Sequence, residues 1–254
     1  MINAIPVPIL SDNYVWMLSR FESEEAVVVD PGDVGPVLDI LDQSNLKCAA
    51  VLLTHHHTDH VGGAAEIGKI WKCPVYGPID ESIPAVTHPV GEGHTLTAAG
   101  MTFKVLSVPG HTRGHIAFVG HGHLLCGDTL FAGGCGRIFE GTPSQMYDSL
   151  SRLAALDPKT LVCCAHEYTV SNLEFALQVE PGNAQLVDRL ESARAIRSAG
   201  RPTLPSRLEV ELATNPFLRC MQPEIIDVAS RHAGRRLESG VEVFSEVRAW
   251  KDVY

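Results

Sequence analysis

The sequence predicts an α/β (α+β) protein, with a strand-rich domain over residues 1–168 and a smaller all-helical domain over residues 169–254. Three observations predict it. Up to residue 168 the chain is built of short β-rich runs punctuated by Gly and Pro. Beyond it the apolar residues take helical spacing. Four of the strand-like runs finish in a side chain able to bind a metal, which places rigid scaffold and chemistry in register.

The predicted strands are "EAVVVD" (25–30), "CAAVLLT" (48–54), "MTFKVLSV" (101–108), "HIAFVG" (115–120), "HLLCGD" (123–128) and "TLVCCAH" (160–166). Between them "GGAAEIGKIW" (62–71) and "PSQMYDSLSRLAAL" (143–156) read as helices, the second carrying Met146, Leu150, Leu153 and Leu156 on one stripe. In the second domain "AQLVDRLESARAIRSAG" (184–200) has Asn183 as its N-cap and Gly200 beyond its end. "EIIDVASRHAG" and the closing "VEVFSEVRAWKDVY" are helical, and "RPTLPS" is a break.

The chain has 254 residues, 45% hydrophobic and 20% charged, an ordinary globular composition. A net charge of −10 argues against non-specific binding to a phosphate backbone. Seven cysteines, none spaced as C-x-x-C, leave a zinc ribbon and a thioredoxin-type motif unsupported. Cys163 and Cys164 sit inside an apolar run and read as reduced, buried thiols, which favours a reducing compartment. The N-terminus has no basic leader segment, Pro6 and Pro8 interrupt its apolar run, and no apolar run approaches the length of a membrane span. A cytoplasmic monomer is the expectation.

The stretch "THHHTDH" (54–60) puts four histidines and an aspartate in six consecutive positions, at the end of an apolar run. In extended backbone alternate residues face the same way, so His55 and His57 can share one ion while His56 points elsewhere. Asp59 and His60 follow as the chain turns and can serve a neighbouring ion. His111 follows "FKVLSVPG", Asp128 ends "HLLCGD" and His166 ends "TLVCCAH". Five His and two Asp are too many for one tetrahedral zinc and suit two ions about 3.5–4 Å apart sharing a carboxylate. In "PGHTRGH" His111 is the nearer to its strand, so it is read as the ligand and His115 as structural. His121 and His123 flank Gly122 in a hairpin turn and read as solvated, and His88, His94 and His232 have no evident partner.

The T-H-x-H-x-D-H pattern, followed in order by "PGHTRGH", "GDTLF" and "CAHEY", resembles the metallo-β-lactamase superfamily, whose fold is an αββα sandwich with the metal site at one edge of its sheets. Within that superfamily the chain resembles the hydroxyacylglutathione hydrolases (glyoxalase II). The resemblance rests on "LFAGGCGRIFEGT" (130–142), "HEYTVSNLEFALQVEPGN" (166–183), "TLPS" (203–206), "NPFLR" (215–219) and "RAWKD" (248–252), spread over nearly the whole chain. It implies a first metal site of His55, His57 and His111, a second of Asp59, His60 and His166, and Asp128 bridging. The ions would be two divalent metals, zinc first, with iron or manganese as alternatives. It implies Arg137, Tyr168, Arg248 and Lys251 as glutathione-binding residues. Phe139 stands where some members have Tyr, and Gly134 lies beside Gly133.

The implied reaction is thioester hydrolysis, chiefly S-(D)-lactoylglutathione to D-lactate and glutathione. A hydroxide held between the ions would attack, with Asp59 binding a metal and orienting it, since a metal lowers water's pKa to about 7. The leaving thiolate, with a pKa of about 8.5, needs no dedicated acid. No G-x-S-x-G occurs, and Cys135 or Cys164 as nucleophile lacks a His partner outside the ligand set. A lactonase, a β-lactamase or a nuclease on the same fold, and an iron-dependent thiol redox protein, are the competing readings.

Overall fold

The computed structural model describes all 254 residues, which form two compact units: Met1–Val108 with Arg113–Gly127 and Cys163–Glu167, and Pro109–Thr112 with Asp128–Val162 and Tyr168–Tyr254.

The first unit contains β1 (Ile2–Ile9), β2 (Asn13–Arg20), β3 (Glu25–Val29), α1 (Gly35–Gln43), β4 (Lys47–Leu52), α2 (Thr58–Val61), α3 (Ala64–Trp71), β5 (Val75–Pro78) and β6 (His88–Val90). Then follow β7 (Thr95–Ala98), β8 (Met101–Ser107), β9 (Ile116–Gly120) and β10 (His123–Gly127). One sheet has the order β1-β2-β3-β4-β5-β6, antiparallel through β3 and parallel from β3 onward. The other runs β7-β8-β9-β10 antiparallel, with the later strand β13 (Leu161–Cys164) beside β10.

β2 shows why two layers are needed. Seven of its eight residues are buried, so both of its faces are covered. Val15 and Met17 pack in one cluster with Val37 and Leu41 of α1 and Ala64 and Ile67 of α3. Trp16, of opposite parity, points the other way, and its indole N–H donates to the Cys164 carbonyl of β13 at 2.9 Å. Each such fully buried large side chain contributes about 1.5–3 kcal/mol of transfer free energy.

The later elements are β11 (Leu130–Phe131), β12 (Gly134–Cys135), α4 (Pro143–Ala154), α5 (Thr169–Val179), α6 (Ala184–Ser198), β14 (Ser206–Arg207), α7 (Leu208–Thr214), α8 (Pro223–Ala233) and α9 (Gly240–Val253). The termini are written in the sequence. Thr142 and Gln145 form a capping box on α4, Ser239 and Glu242 one on α9, and the Asn183 side chain accepts from the Leu186 N–H at the start of α6. α5 and α6 pack as a helical pair through Leu173, Ala176, Leu186, Leu190 and Ala193.

The predicted helix over 62–71 is α3, which starts at Ala64 because Gly62 closes the preceding α2 on the Thr58 carbonyl and the Gly63 N–H turns to the Pro31 carbonyl at 2.7 Å. β1 and β2 are not among the predicted strands; β1 accommodates Pro6 and Pro8 because it is an edge strand, where a missing N–H is tolerated. His123 is buried rather than solvated, with its ring bonded to the His121 carbonyl at 2.9 Å and its pKa lowered chiefly by that burial. No helix is long and apolar enough to cross a membrane.

Candidate active site

In the first unit the residues expected to bind metal gather beyond the ends of β3 and β4. His55 is buried directly after "VLLT", and His57, in extended backbone, is the N-cap of the short helix α2 that presents Asp59 and His60. His55 Nε2 and His57 Nδ1 lie 3.0 Å apart, so the alternate histidines converge. Two nitrogens each about 2.0–2.1 Å from one tetrahedral zinc have a similar separation. His56 turns away to Glu81 at 3.0 Å. Asp59, His60 and His166 form a group whose ligand atoms lie within 4.8 Å of one another.

The hydrogen-bond chemistry fixes which ring nitrogen each histidine offers. The Thr54 hydroxyl has one proton, and its Oγ1 lies 2.7 Å from Asp30 Oδ2, an acceptor. The Nδ1–H of His55 therefore donates to Thr54 Oγ1, 3.0 Å away, and Nε2 keeps its lone pair. His60 Nδ1 donates to Asp30 Oδ2 at 3.1 Å, and His166 Nδ1 to Asp12 Oδ1 at 2.7 Å. The Nε2 lone pairs of His60 and His166 then face Asp59 Oδ2 at 3.4 and 3.5 Å. Lone pairs aimed at a carboxylate oxygen repel it, and a cation between them turns that repulsion into coordination. The donor set fits divalent metal ions with their carboxylate–histidine supports in place.

Asp30, Asp12 and Asn13, which hydrogen-bond the candidate site residues, were missed by the sequence reading. Asp30 follows β3 with φ of 52°, a left-handed conformation costly for a non-glycine residue, and is buried. Its carboxylate also accepts the Thr54 N–H at 2.8 Å, so one side chain holds both the strand end and His60. Asn13 donates to Asp59 Oδ2 at 2.8 Å. A carboxylate ending "EAVVVD" was the available signal for Asp30; Asp12 and Asn13, in the turn between β1 and β2, carried none. Gly32 leaves room here, since a Cβ would stand 1.9 Å from the Asp59 carbonyl oxygen. His115 is buried and stacks on His55 at 4.6 Å, as its structural reading expects.

The second unit holds His111 and Asp128. His111 Nδ1 donates to the Arg137 carbonyl at 2.7 Å, leaving Nε2 3.4 Å from Asp128 Oδ2. Gly136 makes this turn possible, because a Cβ there would meet the Asp128 carbonyl at 1.8 Å. Phe139 is exposed and packs edge-on to the His111 ring at 5.2 Å.

In the same unit Arg137, Tyr168, Arg248 and Lys251 line one cavity of about 320 Å³, together with Phe131 and Cys135. Arg248 is no frayed terminal cation. It is buried, its Nη1 donates to the Cys135 carbonyl at 2.8 Å, and its guanidinium lies 5.2 Å from the centre of the Phe217 ring. Asp252 pairs with Arg248 at 3.1 Å and with Arg137 at 3.3 Å, spacing the two guanidinium groups. Lys251 Nζ donates to the Ser171 carbonyl at 3.4 Å, and burial, then Arg248, lowers its pKa. Burial raises the Cys135 thiol to about 11 despite Arg248, so it is no thiolate nucleophile at neutral pH.

The hairpin beneath this cavity is pinned from behind. Glu211, fully buried, pairs with Arg189 and accepts the Ser206 hydroxyl and the Gly133 N–H, the last at 2.8 Å. Asn215 Nδ2 donates to the Phe131 and Gly134 carbonyls at 3.1 and 2.9 Å. "NPFLR" thus holds the turn that presents Cys135 to Arg137.

Residues 13–166 match the family model described as the metallo-beta-lactamase superfamily. Among solved structures the fold is similar to the BLEG-1 B3 metallo-beta-lactamase, with TM-score 0.65 at 23% identity, covering 86% of this chain and 99% of that one. It is also similar to TTHA1623 in a di-iron-bound form, with TM-score 0.60 at 28% identity, covering 84% and 100%. Residues 167–254 match the model described as the hydroxyacylglutathione hydrolase C-terminus. A hydroxyacylglutathione hydrolase of Xanthomonas campestris pv. campestris (strain B100) is 53% identical over 98% of this chain and 97% of its own. Another, of Halorhodospira halophila (strain DSM 244 / SL1), is 52% identical over 99% of each. The chain belongs to the hydroxyacylglutathione hydrolase family.

Proposed function

We propose that this protein hydrolyses S-(2-hydroxyacyl)glutathione thioesters, chiefly S-(D)-lactoylglutathione, to D-lactate and glutathione. The observation that carries the reading is the cavity bearing Arg137, Tyr168, Arg248 and Lys251 in a chain that aligns end to end with relatives of that name. Glutathione presents two carboxylates, and two guanidinium groups and an ammonium on a partly apolar wall are the groups that bind them. Lysine and arginine three apart on α9 share a face, which lets both serve one ligand.

In this reading His55, His57 and His111 would hold one ion and Asp59, His60 and His166 a second, with Asp128 as a ligand available to both. Two divalent ions, zinc first with iron or manganese as alternatives, supply Lewis acidity and lower the pKa of bound water to about 7. Asp59 is the catalytic carboxylate. It faces the lone pairs of two histidines, Asn13 fixes its second-site oxygen, and it orients the attacking water. Arg137, Tyr168, Arg248 and Lys251 bind the glutathione moiety and so hold the acyl carbon in place. The departing thiol ionises at about 8.5 and leaves without help from a side-chain acid. Residues 1–168 are assigned to catalysis and 169–254 to glutathione binding, in a cytoplasmic monomer; the seven cysteines are free thiols in the structure.

The test compares S-(D)-lactoylglutathione with the same acyl group on a small thiol lacking carboxylates. A kcat/KM at least about 100-fold higher for the glutathione thioester is expected from two charge-assisted contacts. Equal efficiency, or faster hydrolysis of a lactone, overturns the assignment.

A further inference from the structure

Cys48 and Cys73 take no part in either site, yet their Sγ atoms lie 3.8 Å apart. Cys48 is the second residue of β4 and is buried; Cys73 follows α3 and is half-buried, so only one of the two sulfurs has access to solvent. The backbone around them is fixed. The Cys73 N–H donates to the Gly68 carbonyl at 3.2 Å, and the next residue, Pro74, accepts the Val51 N–H of β4 at 3.0 Å. A disulfide needs the sulfurs about 2.05 Å apart, so the two sulfurs have under about 2 Å to close. The residues between the two cysteines include Thr54 to His60, so such a bridge would tie together the two ends of the segment that carries His55, His57, Asp59 and His60.

We propose that Cys48 and Cys73 form a redox-active dithiol, a modification site that a hydroperoxide converts to an intramolecular disulfide. Cys73 is the attacking sulfur, being the more exposed. Its pKa is lowered chiefly by its contact with Cys48, whose own thiol is held protonated by that contact and by burial. The Cys73 thiolate attacks the peroxide, an S–O bond forms, the O–O bond breaks, and a sulfenic acid and hydroxide (or alkoxide) result. Cys48 gives up its proton and attacks the Cys73 sulfur; the S–S bond forms, the S–O bond breaks and water leaves. Two thiols are oxidised by two electrons and one hydroperoxide is reduced. Two equivalents of glutathione reverse the change through a mixed disulfide.

The test exposes the full-length, metal-loaded protein to hydrogen peroxide, then denatures, alkylates and maps peptides. The expected result is a peptide pair joined through Cys48 and Cys73, a mass loss of two hydrogens, and recovery of both thiols after glutathione. In Cys48→Ser, Cys73 should be trapped as a sulfenic acid by dimedone; in Cys73→Ser, Cys48 should stay alkylatable. Wild-type protein in which both cysteines still alkylate, or in which Cys73 advances to sulfinic acid with Cys48 unlinked, overturns the proposal. The mapping of wild-type protein decides the matter even if a variant fails to fold.

Discussion

The Nδ1 of His111 donates to the backbone carbonyl of Arg137 at 2.7 Å, so a histidine proposed to bind metal is oriented by the residue whose own guanidinium lines the cavity proposed to bind glutathione. The carbonyl sets the tautomer and aims Nε2 at Asp128, while the side chain of the same residue pairs with Asp252. On the proposed function, damage to the turn from 133 to 137 should therefore reach both metal retention and substrate binding.

The carboxylates behind the histidines should control metal affinity. Asp30→Asn removes an ionised acceptor from His60 Nδ1 and from Thr54, and Asp12→Asn does the same for His166. Each should weaken metal binding by about 10–100-fold, read by competition with a chromophoric chelator. Unchanged affinity in both variants would mean that the tautomers are set by something else.

Truncating the cavity cations should act on substrate binding. Arg248→Ala and Lys251→Ala should each raise KM by about 10–100-fold, the scale of one or two charged hydrogen bonds, while metal content stays at the wild-type value. Asp252→Ala should raise KM as well, because it frees both Arg137 and Arg248 from their spacing. A fall in bound metal in place of the KM effect would argue against a substrate role.

Lys251 gives a pH dependence with a definite sign. Its folded pKa is lowered from the ordinary 10.5, chiefly by burial. The ammonium that a carboxylate needs is therefore lost at lower pH than in a free lysine, and KM should begin to rise on the alkaline side below pH 10.5. Lys251→Arg keeps its charge there, so KM should stay flat over about pH 8–10. A rise of equal size in the arginine variant would assign the alkaline limb to another group.

Glu211 should matter for stability rather than chemistry. Glu211→Ala leaves the partly buried Arg189 without its carboxylate and the Gly133 N–H without its acceptor, at a cost of about 3 kcal/mol in unfolding free energy. Urea denaturation measures it. A loss below about 1 kcal/mol would show that the network contributes little.

What the sequence made legible follows from chemistry that is local. The alternation of His55 and His57, the strand ends before His111, Asp128 and His166, and the cap Asn183 all depend on neighbours a few residues away. Asp12 and Asn13 lie more than 150 residues from His166, and only the pairing of β2 with the end of β13 brings them to it. The burial of Arg248 was likewise invisible, because on α9 its spacing suits a solvated face as well as a cavity. His123 misled for the same reason: a hairpin turn predicts exposure, whereas the packing around β9 and β10 decides it.

The most direct measurement is turnover of S-(D)-lactoylglutathione with the metal content determined on the same sample, before and after removal by a chelator. Rapid hydrolysis with close to two ions per chain, lost on stripping and restored by a divalent ion, is the predicted result. Two ions without turnover, or turnover that survives complete removal of metal, would contradict it.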